Sequence, residues 1–209
     1  MKTRRSGSRS GSRSSRSPAR KSSGGQRGRS AGSASAGRAG SRAGAARGAI
    51  VEGRPAPGFT LTDAAGKQVR LEDFRGRDLV VYFYPRDNTP GCTKEACGFR
   101  DLWAEFQRAG VAVVGISPDG APSHARFAAQ HRLPFPLLSD PDRKVMTEWG
   151  AWGQKTMYGR QTMGVIRSTV WVGPDGVVRR HWPRVADAAR HPAEVLEAIR
   201  SQRAGAARG

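Results

Sequence analysis

The most apolar stretches of this chain are short and lie in its middle. Residues 79–84 read Leu-Val-Val-Tyr-Phe-Tyr and residues 111–116 read Val-Ala-Val-Val-Gly-Ile. Continuous runs of this length predict strands buried on both faces of a sheet. Between them Pro90 and Gly91 break the pattern. Ala96, Phe99, Leu102, Trp103 and Phe106 then recur at helical spacing, which predicts an amphipathic helix over 93–109. Before the first run, an extended segment over 59–71 turns at Ala65-Gly66 and leads into a helical stretch at 71–74. After the second run the pattern predicts a helix over 122–130, a short strand at 136–138 and a helix over 142–149. Residues 168–172 and 177–181 flank Gly173-Pro-Asp-Gly176 as a hairpin. Residues 155–160 read as a polar, glycine-bearing loop, and 192–200 as a closing helix. Strands alternating with helices predict an α/β domain.

That domain is expected over residues 51–202, with a flexible end at 203–209. Composition sets the first 50 residues apart. Residues 1–48 carry thirteen Lys and Arg, no acid, and no Leu, Ile, Val or aromatic residue, in a chain whose formal net charge is +19. Such a segment cannot bury apolar surface to offset its chain entropy, so disorder is expected over 1–50. Three readings of this tail stay open. Residues 2–47 could bind nucleic acid or another polyanion weakly, through phosphate contacts that salt would screen. The segment could be a targeting peptide, although it lacks the apolar face these usually form, or it could be an extension without function. No run approaches the length of a membrane span, and no signal-peptide core is present, so a cytoplasmic location and no membrane association are expected.

The chain has two cysteines, Cys92 and Cys97, in the segment Pro85-Arg-Asp-Asn-Thr89-Pro-Gly-Cys92-Thr-Lys-Glu-Ala-Cys97. Cys92 falls where a strand ends and a helix begins. Unpaired N–H groups and the positive end of the helix dipole favour a thiolate there. Residues five apart on a helix have Cα atoms roughly 8 to 9 Å apart, whereas a disulfide needs less than about 7 Å. A bond between the two therefore requires the first turns to unwind, which would make it a catalytic disulfide and not a staple. The alternative is that Cys97 is a buried helix cysteine that never reacts. A zinc site is disfavoured, because His124, His131, His181 and His191 lie far downstream and two cysteines alone cannot complete a tetrahedron. No metal or other cofactor is expected.

The segment Tyr82-Phe-Tyr-Pro-Arg-Asp-Asn-Thr-Pro-Gly-Cys-Thr-Lys-Glu-Ala-Cys-Gly-Phe-Arg-Asp101 resembles the peroxiredoxins, and most closely their bacterioferritin-comigratory-protein or peroxiredoxin Q branch. Residues 158–169 and 170–176 support the likeness, which runs from about residue 52 to about residue 200. The resemblance implies a thioredoxin-like fold, with its mixed sheet and strand order. It further implies that Cys92 is the peroxidatic cysteine and Cys97 the resolving one, that Thr89 offers its hydroxyl to the peroxide, that Pro85 shields the sulfur, and that Arg167 stabilises the thiolate. The expected function is reduction of hydrogen peroxide and organic hydroperoxides through a Cys92 sulfenic acid, with a thioredoxin-like dithiol as reductant. With both thiols on one chain, a monomer suffices. The alternative is a polyanion-associated redox sensor or holdase that uses the basic tail.

Other residues take plainer readings. Trp103 and Phe106 are expected in the core. Packing is the expected role of Trp149, Trp152 and Trp171, although they could line a cleft above the cysteine. His181 reads as a surface residue, and Glu95 and Asp101 as partners in helix-face salt bridges.

Overall fold

The computed structural model describes residues 50–157 and 160–206. The basic tail lies outside them. Antiparallel strands β1 (Thr60–Asp63) and β2 (Gln68–Arg70) lead into a single 3-10 turn at Leu71–Phe74. The two apolar runs form β3 (Asp78–Phe83) and β4 (Val111–Ser117), which pair in parallel and are buried along their whole length. Between them lie α1 (Pro90–Asp101) and α2 (Trp103–Arg108). There follow α3 (Ala121–His131), β5 (Leu137–Ser139), α4 (Lys144–Glu148), β6 (Trp152–Met157), β7 (Arg160–Val165), β8 (Ser168–Val172), β9 (Val178–Trp182) and α5 (His191–Ala206). The main sheet has the order β2-β1-β5-β4-β3-β8-β9, and β6 and β7 pair as a separate antiparallel ribbon.

Successive side chains of a strand point to opposite faces, and β3 separates the core accordingly. Leu79, Val81 and Phe83 pack with Leu71, Phe74, Met146 and Trp149 on one face. Val80 and Tyr82, followed by Tyr84, pack with Ala96, Phe99, Phe106, Val195 and Ile199 from the helices on the other. The aromatic side chains serve this packing. Trp149 is fully buried against Phe59 and Phe83, and Trp171 donates from Nε1 to Asp78 at 2.7 Å. Trp103 is half-buried beside Phe135, and Trp152 carries the Arg143 guanidinium over its ring.

Several expectations are corrected. The helix expected over 93–109 is two helices that meet at Leu102, whose backbone (φ −94°, ψ 7°) leaves the helical region. The segment 155–160 is not simply a loop. Lys155 to Met157 complete β6 and Arg160 opens β7, and the register from Trp152–Val165 to Met157–Arg160 carries the ribbon. The closing helix does not stop at residue 200 but runs through Ala206, into the end expected to be flexible. Arg203 anchors it with ion pairing to Asp78 and a hydrogen bond to the Ala109 carbonyl. His181 is half-buried in β9, not a surface residue.

Candidate active site

The carboxyl end of β3 delivers the chain into a turn over 84–89. Asn88 takes up the left-handed region there (φ 56°), a conformation that asparagine tolerates better than most residues. Thr89 then caps α1 in an extended conformation (φ −88°, ψ 150°), and Pro90 occupies the first helical position, where its missing N–H costs nothing. The first helical hydrogen bond runs from the Thr93 amide to the Thr89 carbonyl at 2.8 Å. Cys92 is therefore in the first turn, where backbone amides lack helical acceptors and the dipole is positive. The residue is 1% exposed.

Arg167 comes from the link between β7 and β8. Ser168 pairs with Phe83 across the β3–β8 ladder, so the register brings Arg167 to the end of β3 where α1 starts. Its Nη2 lies 3.2 Å from the Cys92 sulfur. Gly91 leaves room for the guanidinium, since a Cβ at that position would stand in tight contact, 3.2 Å from the same nitrogen. The other guanidinium nitrogen, Nη1, is ion-paired with Glu95 one turn further along α1. Glu95 is fully buried, so it belongs to the site and not to an exposed helix-face pair. Burial pushes its carboxyl up to about 7, against the pull of Arg167. His191, at the start of α5, is also near this cation. Its Nε2 lies 2.8 Å from Thr169 Oγ1, and burial, followed by the Arg167 charge, lowers it to about 4. At neutral pH it is an uncharged neighbour.

Thr89 and Pro85 lie on the same turn. The Thr89 hydroxyl donates to the Arg86 carbonyl at 3.0 Å, and Pro85 is half-buried. Cys97 is not beside Cys92. Both thiols are free, and the Cys97 sulfur instead lies 3.9 Å from His131 Nδ1.

Sequence reasoning missed a second set of residues that holds the turn. Asp87 is buried and accepts from Tyr84 OH at 2.8 Å, and its Oδ2 lies 2.9 Å from Nδ1 of His124, which is completely buried in α3. The Asp87 amide donates to Asp119 Oδ2 at 2.7 Å, and Ser117 Oγ donates to the same oxygen at 3.0 Å. The turn is thus fastened to the end of β4 and to α3. Although burial pushes Asp87 up, the hydrogen bonds from His124, Ser123 and Tyr84 outweigh it and bring the carboxyl below its usual value of 3.8.

A lowered carboxylate stabilises the fold above the unfolded value and loses that contribution as pH falls through the folded one. Urea titrations from pH 6 to pH 2 should show wild-type stability falling more steeply below about pH 4 than that of Asp87→Asn. Parallel curves would remove Asp87 from this role. The raised Glu95 gives a second expectation. Below about pH 7 a neutral Glu95 leaves more of the Arg167 charge to the sulfur, and above it the carboxylate competes. In stopped-flow rates of reaction with hydrogen peroxide, Glu95→Gln should abolish an inflection near neutral pH; an unchanged profile would exclude this coupling.

The AhpC/TSA family model matches residues 52–181. The chain belongs to the AhpC/TSA family. A protein of Mycobacterium tuberculosis that carries the peroxiredoxin name is 56% identical over 129 residues, covering 62% of this chain and 82% of that protein. Peroxiredoxin Bcp of Bacillus subtilis is 38% identical over 148 residues, covering 71% of this chain and 94% of its own length. Among solved structures, the bacterioferritin comigratory protein of Xanthomonas campestris, described for alkyl peroxide reduction, superposes with a TM-score of 0.65 at 38% identity over 69% of this chain and 91% of that one. Within the family this is a peroxiredoxin of the bacterioferritin-comigratory-protein and peroxiredoxin Q branch, with the thioredoxin-like fold and a thiol peroxidase activity on hydroperoxides. Among the described residues of this peroxiredoxin, no helix is long and apolar enough to cross a membrane.

Proposed function

We propose that Cys92 is the peroxidatic cysteine, Arg167 its electrostatic partner and Cys97 the resolving thiol. The observation that carries this reading is the 3.2 Å contact of Arg167 Nη2 with a sulfur buried in the first turn of α1. The Cys92 thiolate attacks one peroxide oxygen. A sulfur–oxygen bond forms as the oxygen–oxygen bond breaks, and the second oxygen departs as hydroxide or alkoxide and takes up a proton. Cys92 is left as a sulfenic acid. A guanidinium has several donors in one plane, so Arg167 can hold the thiolate and follow charge onto the leaving oxygen. Thr89 offers its hydroxyl from the same turn once it leaves the Arg86 carbonyl, and Pro85, which has no N–H, limits the approach of water.

Cys97 then attacks the sulfenic sulfur, and the disulfide is reduced by a thioredoxin-type dithiol through exchange. The Cα separation on an intact helix requires α1 to unwind between them, so the protein alternates between a folded reduced state and a locally unwound oxidised one. Hydrogen peroxide and organic hydroperoxides are the substrate class. A chain carrying both thiols works as a monomer, in a reducing compartment such as the cytoplasm. The test is NADPH oxidation coupled through thioredoxin reductase and thioredoxin. Peroxide-dependent turnover that needs all components is expected. Turnover with glutathione alone and none with thioredoxin would overturn the choice of reductant.

A further inference from the structure

Cys97 has a neighbour that the scheme above does not use. Its sulfur lies 3.9 Å from Nδ1 of His131, the last residue of α3, and both side chains are half-buried. One ring contact and two backbone features hold His131 in place. Its ring meets Phe127 edge-on, with centroids 5.1 Å apart. Its carbonyl accepts from Arg100 Nη1 at 2.8 Å. The chain turns away immediately after it, at Arg132 with φ 51°. Arg100 lies on α1 one turn beyond Cys97 and also binds Asp101, through Nε at 2.9 Å and Nη2 at 2.7 Å. Asp101 first, and then the Cys97 sulfur, hold the Arg100 guanidinium above its ordinary value. The charged and titratable groups recorded around this thiol are thus His131 from α3 and Arg100, itself bound to Asp101, from α1.

We propose that His131 is the base that takes the thiol proton of Cys97 when the disulfide forms. The proposal rests on the reading of Cys97 as the resolving thiol. With its own proton on Nε2, the imidazole accepts the Cys97 proton at Nδ1 and becomes imidazolium. The Cys97 thiolate then forms the sulfur–sulfur bond with Cys92, the Cys92 sulfur–oxygen bond breaks, and the departing hydroxide takes a proton to leave as water. Cys97 is oxidised and the sulfenic sulfur reduced, so the electrons balance without another reagent. A neutral imidazole accepts a proton at one ring nitrogen while it holds one at the other, which suits it to this task. A separation of 3.9 Å is at the long end for a hydrogen bond to sulfur, and such contacts tighten as charge develops. The arrangement also sets an order of events. The proton leaves while α1 and α3 are in contact, and the helix that unwinds then carries a thiolate rather than a thiol.

An unassisted thiol titrating near 8.5 is only about 3% ionised at pH 7. Full ionisation would gain about 30-fold, offset in part by lower nucleophilicity, so an effect of about tenfold is expected. The experiment mixes reduced full-length protein with hydrogen peroxide and follows two phases, sulfenic acid formation and disulfide formation, by quenched intact mass. His131→Gln should leave the first phase unchanged, slow the second about tenfold at pH 7, and move the second-phase pH profile upward. Added imidazole should restore the second phase in His131→Ala. An unchanged second phase and profile in His131→Gln overturns the proposal. So does a wild-type second phase that accelerates only above about pH 8, the range of a free thiol, and this needs no variant. Cys97→Ser run in parallel separates the two claims: a wild type that keeps its added oxygen as that variant does would defeat the resolving assignment itself, whereas a wild type that loses two hydrogens, beside a persistent sulfenic acid in Cys97→Ser and a normal His131→Gln, defeats only the base.

Discussion

Arg167→Gln should lower the second-order rate of reaction with hydrogen peroxide by about 100- to 1,000-fold, the usual cost of removing one donor aimed at developing charge. The guanidinium touches the Cys92 sulfur and also neutralises a fully buried carboxylate. Its removal therefore acts twice, on the thiolate and on Glu95, which is left without its cation. Breaking a buried pair by removing one partner costs about 3 to 5 kcal/mol where the remaining carboxyl stays ionised, so at pH above about 7 a poorly folded variant could imitate a catalytic defect. The double variant Arg167→Gln with Glu95→Gln removes that ambiguity, because it leaves no carboxylate to bury. If it regains stability in urea but not the peroxide rate, the defect belongs to the chemistry. Arg167→Lys keeps the charge without the planar fork and should fall between wild type and Arg167→Gln. A glutamine variant that is stable and reacts at the wild-type rate would remove Arg167 from the mechanism.

Cys97→Ser should react once with peroxide at a wild-type rate and then stop. The first reaction uses Cys92, whose side-chain partner is Arg167 from the link before β8. Cys97 points elsewhere, toward His131. Only the second step needs it, so thioredoxin-supported steady-state turnover should fall to background while the single-turnover rate is kept. Further peroxide should drive the stranded sulfenic acid to sulfinic acid, a state that a dithiol reductant does not reverse. Continued turnover with thioredoxin would mean that another thiol resolves Cys92.

The two buried strands, the helix after the Pro-Gly break and the place of Cys92 at their junction were legible because each rests on neighbours in sequence. Glu95 was misread for the same reason. On a helix a carboxylate is ordinarily assigned a partner three or four residues away, yet its cation lies 72 residues downstream and arrives through the register of β3 with β8. Asp87, His124 and Tyr84 were missed alike: the hydrogen bond that joins Asp87 to His124 spans 37 residues and exists only once α3 packs beside the turn. The ribbon of β6 and β7 was obscured by Gly153 and Gly164 facing each other in its ladder, since glycine weakens any strand signal. The break at Leu102 carries neither Gly nor Pro, and the anchoring of α5 by Arg203 depends on Asp78 at the start of β3. The local chemistry of the site was thus legible, whereas the groups that tune and fasten it were not.

The central claim is that Cys92 attacks the peroxide and Cys97 resolves it within one chain. Intact mass under denaturing conditions, taken after reduced protein meets one equivalent of hydrogen peroxide, tests it most directly. The wild type should lose the mass of two hydrogens, and Cys97→Ser should gain one oxygen. An oxygen gained by both would make Cys97 a bystander, and no change in either would leave the site without its chemistry.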